Sequence, residues 1–132
     1  MSRTVDPKQL NGLALAYMGD AVYEQAIREH LIYTGKTKPK RLHVSATAYV
    51  SAKAQAYLVE SMLGQELLTE EETTYYKRGR NAKSYTKAKN ADTKTYSQST
   101  GFEALFGFLY LTGKSERVDE LIAWCIREIE KQ

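Results

Sequence analysis

Residues 13–26, with the sequence LALAYMGDAVYEQA, constrain the fold more than any other stretch of the chain. If the stretch is helical, a rotation of about 100° per residue places apolar side chains on two opposite sides of the helix. One side carries Leu15, Met18, Val22 and Ala26, and the other carries Leu13, Tyr17, Ile27 and Leu31. A helix on a protein surface has a single apolar stripe. The pattern therefore predicts a helix buried between two layers.

Asp20 lies within the second apolar side of this helix, between Tyr17 and Ile27. An isolated buried charge is costly, so its carboxylate is expected to be paired, protonated or bound to a cation. Gly19 directly precedes it, and glycine inside a helix costs roughly 1 kcal/mol relative to alanine. We therefore expect Gly19 to mark the close approach of another backbone.

The composition is typical of a globular domain. The 132 residues are 42% hydrophobic and 27% charged, and one domain spanning residues 1–132 is expected. The single cysteine, Cys125, excludes an internal disulfide and a cysteine-based zinc site. The first ten residues lack the apolar core of a signal peptide, and no apolar run reaches the roughly 20 residues that cross a membrane. We expect a cytoplasmic protein without a membrane segment.

Capping and turn residues divide the chain into helices, and no segment alternates in the manner of a strand. The fold class is predicted to be all-α. The first helix is expected over residues 7–33, and a second helical region over residues 39–62 with a break near residues 45–47. A helix capped by Thr69 should last to about residue 78. Residues 79–97 should form a long loop, followed by helices over residues 101–111 and 116–131, the last capped by Ser115.

A second acid stands in the apolar segment GFEALFGFLYLTG, where Glu103 is the only charged residue between Thr95 and Gly113. Gly107 lies one turn after Glu103, on the same helical face. We expect the two helices to cross at Gly19 and Gly107, which would bring Asp20 and Glu103 together. Two carboxylates in one site suit Mg²⁺ or Mn²⁺. The alternative is that both acids are buried polar groups satisfied by backbone N–H groups or by a lysine.

The net charge of +3 is unevenly distributed along the sequence. Residues 77–94 contain seven bases against the single acid Asp92, interleaved with tyrosine and asparagine. This composition favours binding to the phosphates and riboses of a nucleic acid. The alternative is an ordinary solvated loop. Candidate RNA-binding residues are Arg78, Arg80, Asn81, Lys83, Lys87 and Lys89. A second basic stretch carries Lys36, Lys38, Lys40, Arg41 and Lys53.

The motif YMGDAV followed by FEALFGFLYL resembles the ribonuclease III endonuclease domain, whose signature helix has the form E-x-x-E-F-L-G-D-A-V and whose later helix has the form D-x-x-E-A-L-I-G. The resemblance includes YVSAKAQA and RGRNAK and is greatest to the short Mini-ribonuclease III branch, which lacks a double-stranded-RNA-binding domain. It implies a homodimeric helical fold.

The resemblance also implies residue roles. Asp20 and Glu103 take the positions of catalytic metal ligands, with Mg²⁺ as the expected ion and Mn²⁺ as a substitute. Tyr17 takes the position of an aromatic residue that packs across the dimer, so Tyr17 and Met18 are expected near the dimer axis. Three positions that are acidic in the family are occupied here by Leu13, Ala16 and Thr100.

The function implied is cleavage of double-stranded RNA by a metal-dependent endoribonuclease that leaves a 5′-phosphate and a 3′-hydroxyl. The implied role is maturation of the bacterial large-subunit (23S) ribosomal RNA precursor, with a ribosomal protein as an additional candidate partner. The three missing acids keep open a non-catalytic RNA-binding dimer with the same fold. A helical protein-interaction module with an incidental basic loop is the third hypothesis.

Overall fold

The computed structural model describes residues 4–83 and 92–132, and every regular element in these ranges is helical. The predicted all-α class is therefore confirmed. A short 3₁₀ turn at Pro7–Gln9 precedes the helices. The helices are α1 (Gly12–Tyr33), α2 (Pro39–Val50), α3 (Ala52–Gly64), α4 (Glu70–Arg80), α5 (Thr93–Leu111) and α6 (Ser115–Glu130). No helix within the described ranges is both long and apolar enough to cross a lipid bilayer.

Side-chain caps set the starts of α1 and α3. The Asn11 side chain accepts a hydrogen bond from the Ala14 N–H at 2.9 Å, and Leu10 before it is extended. The first helix thus starts at Gly12, and the predicted start at residue 7 belongs to a separate 3₁₀ turn. The break between α2 and α3 lies at Ser51, whose hydroxyl caps α3, so the predicted break near residues 45–47 is wrong. The extended backbone of Ser51 ends α2, and its side chain then accepts from the first turn of α3.

The predicted capping box at Thr69 is confirmed, because Thr69 and Glu72 exchange side-chain-to-backbone hydrogen bonds at 2.9 and 3.1 Å. The predicted loop over residues 79–97 is too long at both ends. Helix α4 continues to Arg80, and α5 begins at Thr93, where the Asp92 carboxylate accepts from the Thr95 N–H at 2.8 Å. The lone acid of the basic stretch is therefore a helix cap. The last helix includes Ser115, and Lys114 occupies the capping position that was predicted for Ser115.

Helix α5 forms the centre of the fold. It makes its most extensive contact with α1 and also packs against α4 and α3. All its residues from Ser99 to Leu109 are buried except Glu103, which is half-buried. Edge-to-face packing of Tyr23 on Phe102, with ring centroids 4.8 Å apart, fixes α1 on α5. Because neighbours surround α5, its sequence is apolar on every side.

The predicted crossing at two glycines is confirmed. A Cβ on Gly19 would overlap the carbonyl of Glu103, and a Cβ on Gly107 would overlap the carbonyl of Leu15. Each helix thus presents a glycine to the backbone of the other. The cost of glycine within a helix is offset here by an approach that a side chain would prevent.

The prediction that α1 is buried on two sides is wrong for this chain. Its buried residues, Leu15, Ala16, Gly19, Tyr23, Ile27 and Leu31, lie on one face. Ile27 and Leu31 share this face with Leu15 instead of opposing it. On the outer face, Tyr17 is 85% exposed and Leu13 is 40% exposed. The chain leaves a partly apolar surface open along α1.

Candidate active site

The crossing of α1 and α5 brings Asp20 and Glu103 to one site, as the sequence predicts. The backbone of Glu103 lies against Gly19, and Asp20 is the next residue of α1. The two acids differ in environment, because Glu103 is half-buried whereas Asp20 is exposed. The expectation that Asp20 is buried is therefore wrong in the single chain. Its exposure follows from its position at the edge of the packed face of α1.

The electrostatics of Glu103 are those of a carboxyl group that needs a positive partner. Burial, the charge of Asp20 and a hydrogen bond shared with Asp20 raise the pKa of Glu103 to about 8, with a smaller contribution from Glu24. A hydrogen bond from Gln55 acts in the opposite direction and lowers this pKa. Without a cation, Glu103 therefore holds a proton at neutral pH. A cation between the carboxylates would favour the ionised form of both.

The donor set fits a hard divalent cation. Mg²⁺ binds through one or two carboxylates and keeps several water molecules, which substrate phosphate oxygens can replace. Asp20 and Glu103 supply this number of carboxylates. In the described part of the chain, no group of three or more His, Cys, Asp or Glu side chains is arranged to hold a metal ion. The site therefore matches an ion that takes much of its coordination from water and substrate.

A buried polar pair that the sequence does not predict borders this site. The Ser99 hydroxyl donates to Oε1 of Gln55 at 2.6 Å, and both side chains are buried. Ser99 lies one turn before Glu103 on α5, and Gln55 lies on α3. The available signal was a glutamine inside the apolar run AQAYLV, but its partner 44 positions away could not be identified from sequence.

Comparison with known proteins identifies the family. Residues 13–114 match the Ribonuclease III domain. The chain is 63% identical to a protein of Enterococcus faecalis named Mini-ribonuclease 3, over 94% of each chain. It is 56% identical to the Mini-ribonuclease 3 of Streptococcus pneumoniae, over 96% of this chain and 98% of that protein. This chain belongs to the ribonuclease III family.

The fold agrees with this assignment. A crystal structure of a Fusobacterium nucleatum protein superimposes with a TM-score of 0.79 and 30% identity, covering 92% of this chain and 95% of the other. Asp20 lies on α1 and Glu103 lies on α5, and these are the two helices that the signature motifs predict. The resemblance stated from the two motifs is therefore confirmed over nearly the full chain.

The Arg78 guanidinium of this ribonuclease III-family chain has an intramolecular role. It donates to the carbonyls of Lys8 and Leu10 at 2.7 and 2.9 Å. It also lies 4.5 Å from the centre of the Tyr75 ring. Arg78 thus fixes the segment before α1 to α4. A direct contact between Arg78 and RNA stays a prediction. Nη1 of the Arg78 guanidinium already donates to these two carbonyls.

The other predicted RNA-binding residues lie at the end of α4 or after it. The Arg80 guanidinium lies 5.6 Å from the centre of the Tyr76 ring, and its Nε donates to Oδ1 of Asn81 at 3.2 Å. Lys83 is exposed. Lys87 and Lys89 lie outside the described residues. The RNA-binding role of these four basic residues and of Asn81 stays a prediction.

The predicted dimer residues lie on or beside the open face of α1. Tyr17 projects into solvent, and Met18 is partly buried. An aromatic ring this exposed is a large apolar surface in contact with water. The prediction that Tyr17 and Met18 lie at a dimer axis is compatible with these positions and stays a prediction.

Proposed function

We propose that this chain is a divalent-metal-dependent endoribonuclease that cleaves double-stranded RNA. The observation that carries the proposal is the meeting of Asp20 and Glu103 at the Gly19–Gly107 crossing. Membership of the ribonuclease III family gives this pair its chemical context. The other acids of the family are replaced, so the proposed catalytic set is these two residues.

The two carboxylates have complementary tasks in the proposed reaction. Bound Mg²⁺ or Mn²⁺ would lower the pKa of a water nucleophile and stabilise the charge on the leaving oxygen. Asp20 and Glu103 would hold the ion and balance its charge. The exposure of Asp20 leaves the outer side of the site accessible to a phosphodiester, while the enclosed Glu103 fixes the inner side. The proposed products carry a 5′-phosphate and a 3′-hydroxyl.

The proposed active form is a homodimer built on the open face of α1. Tyr17 and Met18 would lie near its axis and would remove apolar surface from water. A twofold dimer carries two equivalent sites, and each could act on one strand of an RNA duplex. The exposed apolar residues of α1 support this arrangement.

RNA would be held by basic residues of the last turn of α4 and of the segment that follows it. Duplex RNA is recognised mostly by its shape, its 2′-hydroxyls and its phosphates. Exposed arginine and lysine side chains therefore suffice for much of the affinity. The proposed residues are Arg78, Arg80, Asn81, Lys83, Lys87 and Lys89. The resemblance to the Mini-ribonuclease III branch supports the 23S ribosomal RNA precursor as the substrate and a ribosomal protein as an assisting partner.

One set of observations favours a second function, a non-catalytic dimer that binds RNA. Leu13 and Ala16 cannot bind a metal, and the Thr100 hydroxyl donates to the carbonyl of Tyr96 within α5 at 3.0 Å. These positions therefore add no acid to the site. Against this alternative stands the retained pair of Asp20 and Glu103.

The deciding experiment incubates the purified protein with a long RNA duplex, with and without Mg²⁺. We expect cleavage only with Mg²⁺. Retention of the duplex without cleavage in Mg²⁺ or Mn²⁺ would favour the non-catalytic dimer. If the protein neither binds nor cleaves the duplex, the chain is a protein-interaction module.

A further inference from the structure

A polar pair interrupts the apolar contact between α3 and α5. The Gln55 side chain is 2% exposed, and Ser99, on the facing helix, is 8% exposed. Buried amides and hydroxyls are costly unless they are hydrogen-bonded. Every fully buried side-chain nitrogen and oxygen in the described part of the chain has a partner, so the pair is satisfied. A polar pair that is costly to bury needs a reason beyond packing.

The position of the pair suggests that reason. Ser99 donates to Oε1 of Gln55 at 2.6 Å, which leaves the Nε2 donors of the amide for another group. Glu103 lies four residues after Ser99, on the same face of α5. Gln55, bound to Ser99, is therefore placed about one helical turn from Glu103, and its amide lowers the pKa of Glu103 against the effects of burial and Asp20. The pair therefore connects the buried interior to the metal-binding acid.

We propose that Ser99 and Gln55 are positioning residues that orient the Glu103 carboxylate toward Asp20. Ser99 fixes the orientation of the Gln55 amide, and the amide in turn holds one side of the carboxylate. A carboxylate held in this way does not have to be reoriented when a cation arrives. Partners of metal ligands commonly act in this manner, and their loss costs roughly 10- to 100-fold in metal affinity or activity. The proposal rests on the proposed metal-dependent function.

The test measures metal binding separately from cleavage. Mn²⁺ is titrated into RNA-free protein and followed by electron paramagnetic resonance, for wild type, Gln55→Leu and Ser99→Ala. Gln55→Leu should weaken Mn²⁺ binding by roughly tenfold or more. Ser99→Ala should weaken it less, because the amide remains but loses its fixed orientation. Raising the Mg²⁺ concentration should restore much of the cleavage rate of Ser99→Ala, which a general loss of packing would not allow.

Thr112→Ala is the matched control. Its half-buried hydroxyl donates to the carbonyl of Phe108 at 2.7 Å at the other end of α5. The control should lose some stability but keep the Mn²⁺ affinity of the wild type. If Gln55→Leu does not fold, Ser99→Ala against this control still decides the question.

The outcomes separate the two proposals. If wild type and both variants bind Mn²⁺ equally, the positioning role is overturned and the proposed function stands. If wild type neither binds Mn²⁺ nor cleaves duplex RNA, the proposed function fails and the positioning role fails with it. Weaker Mn²⁺ binding in both variants, partial rescue by Mg²⁺ and an unchanged control support the positioning role.

Discussion

On its inner face, α1 packs Leu15, Gly19 and Tyr23 tightly against α5, whereas on its outer face Leu13 and Tyr17 remain exposed. Both faces carry apolar residues, but among residues 4–83 and 92–132 only the inner face is covered by other helices. The difference shows that apolar periodicity marks surfaces that favour removal from water. It does not report whether the same chain covers them. The inner face therefore holds the fold together, and the outer face is the surface on which the proposed dimer would form.

Asp20 and Glu103 lie where these two regions meet, so substituting them tests the site without breaking either face. Asp20→Asn and Glu103→Gln keep the side-chain volume but remove a charged ligand. Each should lower cleavage of duplex RNA by roughly a thousandfold, because metal ligands stabilise transition-state charge by several kcal/mol. The rate is measured under single-turnover conditions, with the enzyme in saturating excess over the RNA.

Duplex binding and the unfolding midpoint serve as controls for both variants. Since Asp20 is exposed, Asn at this position should leave stability within about 0.5 kcal/mol. Mg²⁺-dependent cleavage near the wild-type rate by either variant would remove that residue from the mechanism.

The inner face is broken most directly by Gly107→Ala. The added Cβ would overlap the Leu15 carbonyl, which belongs to the helix backbone and cannot turn away. The free energy of unfolding should fall by about 3 kcal/mol or more, at the upper end of the cost of overpacking. Urea denaturation followed by circular dichroism measures it.

Gly64→Ala is the matched control, because the Cβ that it would add at the end of α3 meets no described atom within 4 Å beyond its chain neighbours and the backbone of its own helix. Alanine there should change stability by less than about 1 kcal/mol, with helix propensity in its favour. Equal stability of the two variants would mean that the helices do not approach closely at Gly107.

The outer face is tested by Tyr17→Asp. Because Tyr17 is exposed in the single chain, the fold should survive, but a charge in an apolar dimer interface should weaken association by roughly a hundredfold or more. Analytical ultracentrifugation over a concentration series measures the dimer dissociation constant. A wild type that is monomeric at micromolar concentration would end the two-strand cleavage hypothesis.

Tyr33→Asp is the control for exposure alone. Tyr33 is 82% exposed on the same helix, and the 16 positions that separate it from Tyr17 rotate it by roughly 160° at about 100° per residue. This variant should dimerise as the wild type does. If both substitutions split the dimer equally, the interface is not centred on Tyr17.

The sequence predicted the parts of this structure that depend on local chemistry. The capping box at Thr69 was predictable, because threonine followed three residues later by glutamate is a specific signal for a helix start. The glycine crossing was predictable, because glycine inside a helix is unfavourable unless another backbone comes close. Ile27 was assigned to the wrong face of α1. The sequence shows two apolar sides of this helix but not which helices pack against each of them. The start of α5 was missed because Asp92 was considered as a charge and not as a cap. The contact of Ser99 with Gln55 was beyond reach, since it joins two helices that are distant in sequence.

The basic residues after α4 extend the comparison to the surface that would hold the duplex. Replacing Lys83, Lys87 and Lys89 together with Ala should weaken duplex binding by about tenfold. In a plot of log affinity against log salt concentration, the slope should also become shallower, by about 1 for each lysine–phosphate interaction that is removed. Filter binding with an uncleaved duplex in metal-free buffer, repeated at several salt concentrations, measures both quantities.

The matched control replaces Lys36, Lys38 and Lys40, which removes the same charge from the connection between α1 and α2 and from the start of α2. If the protein's overall charge drives binding, the two triple variants should weaken it equally. If the lysines after α4 bind the phosphates directly, the first variant should have the smaller salt dependence. Cleavage at saturating RNA should suffer less than affinity, because these lysines hold the substrate and do not bind the metal. An effect confined to the control would place the duplex along the connection between α1 and α2.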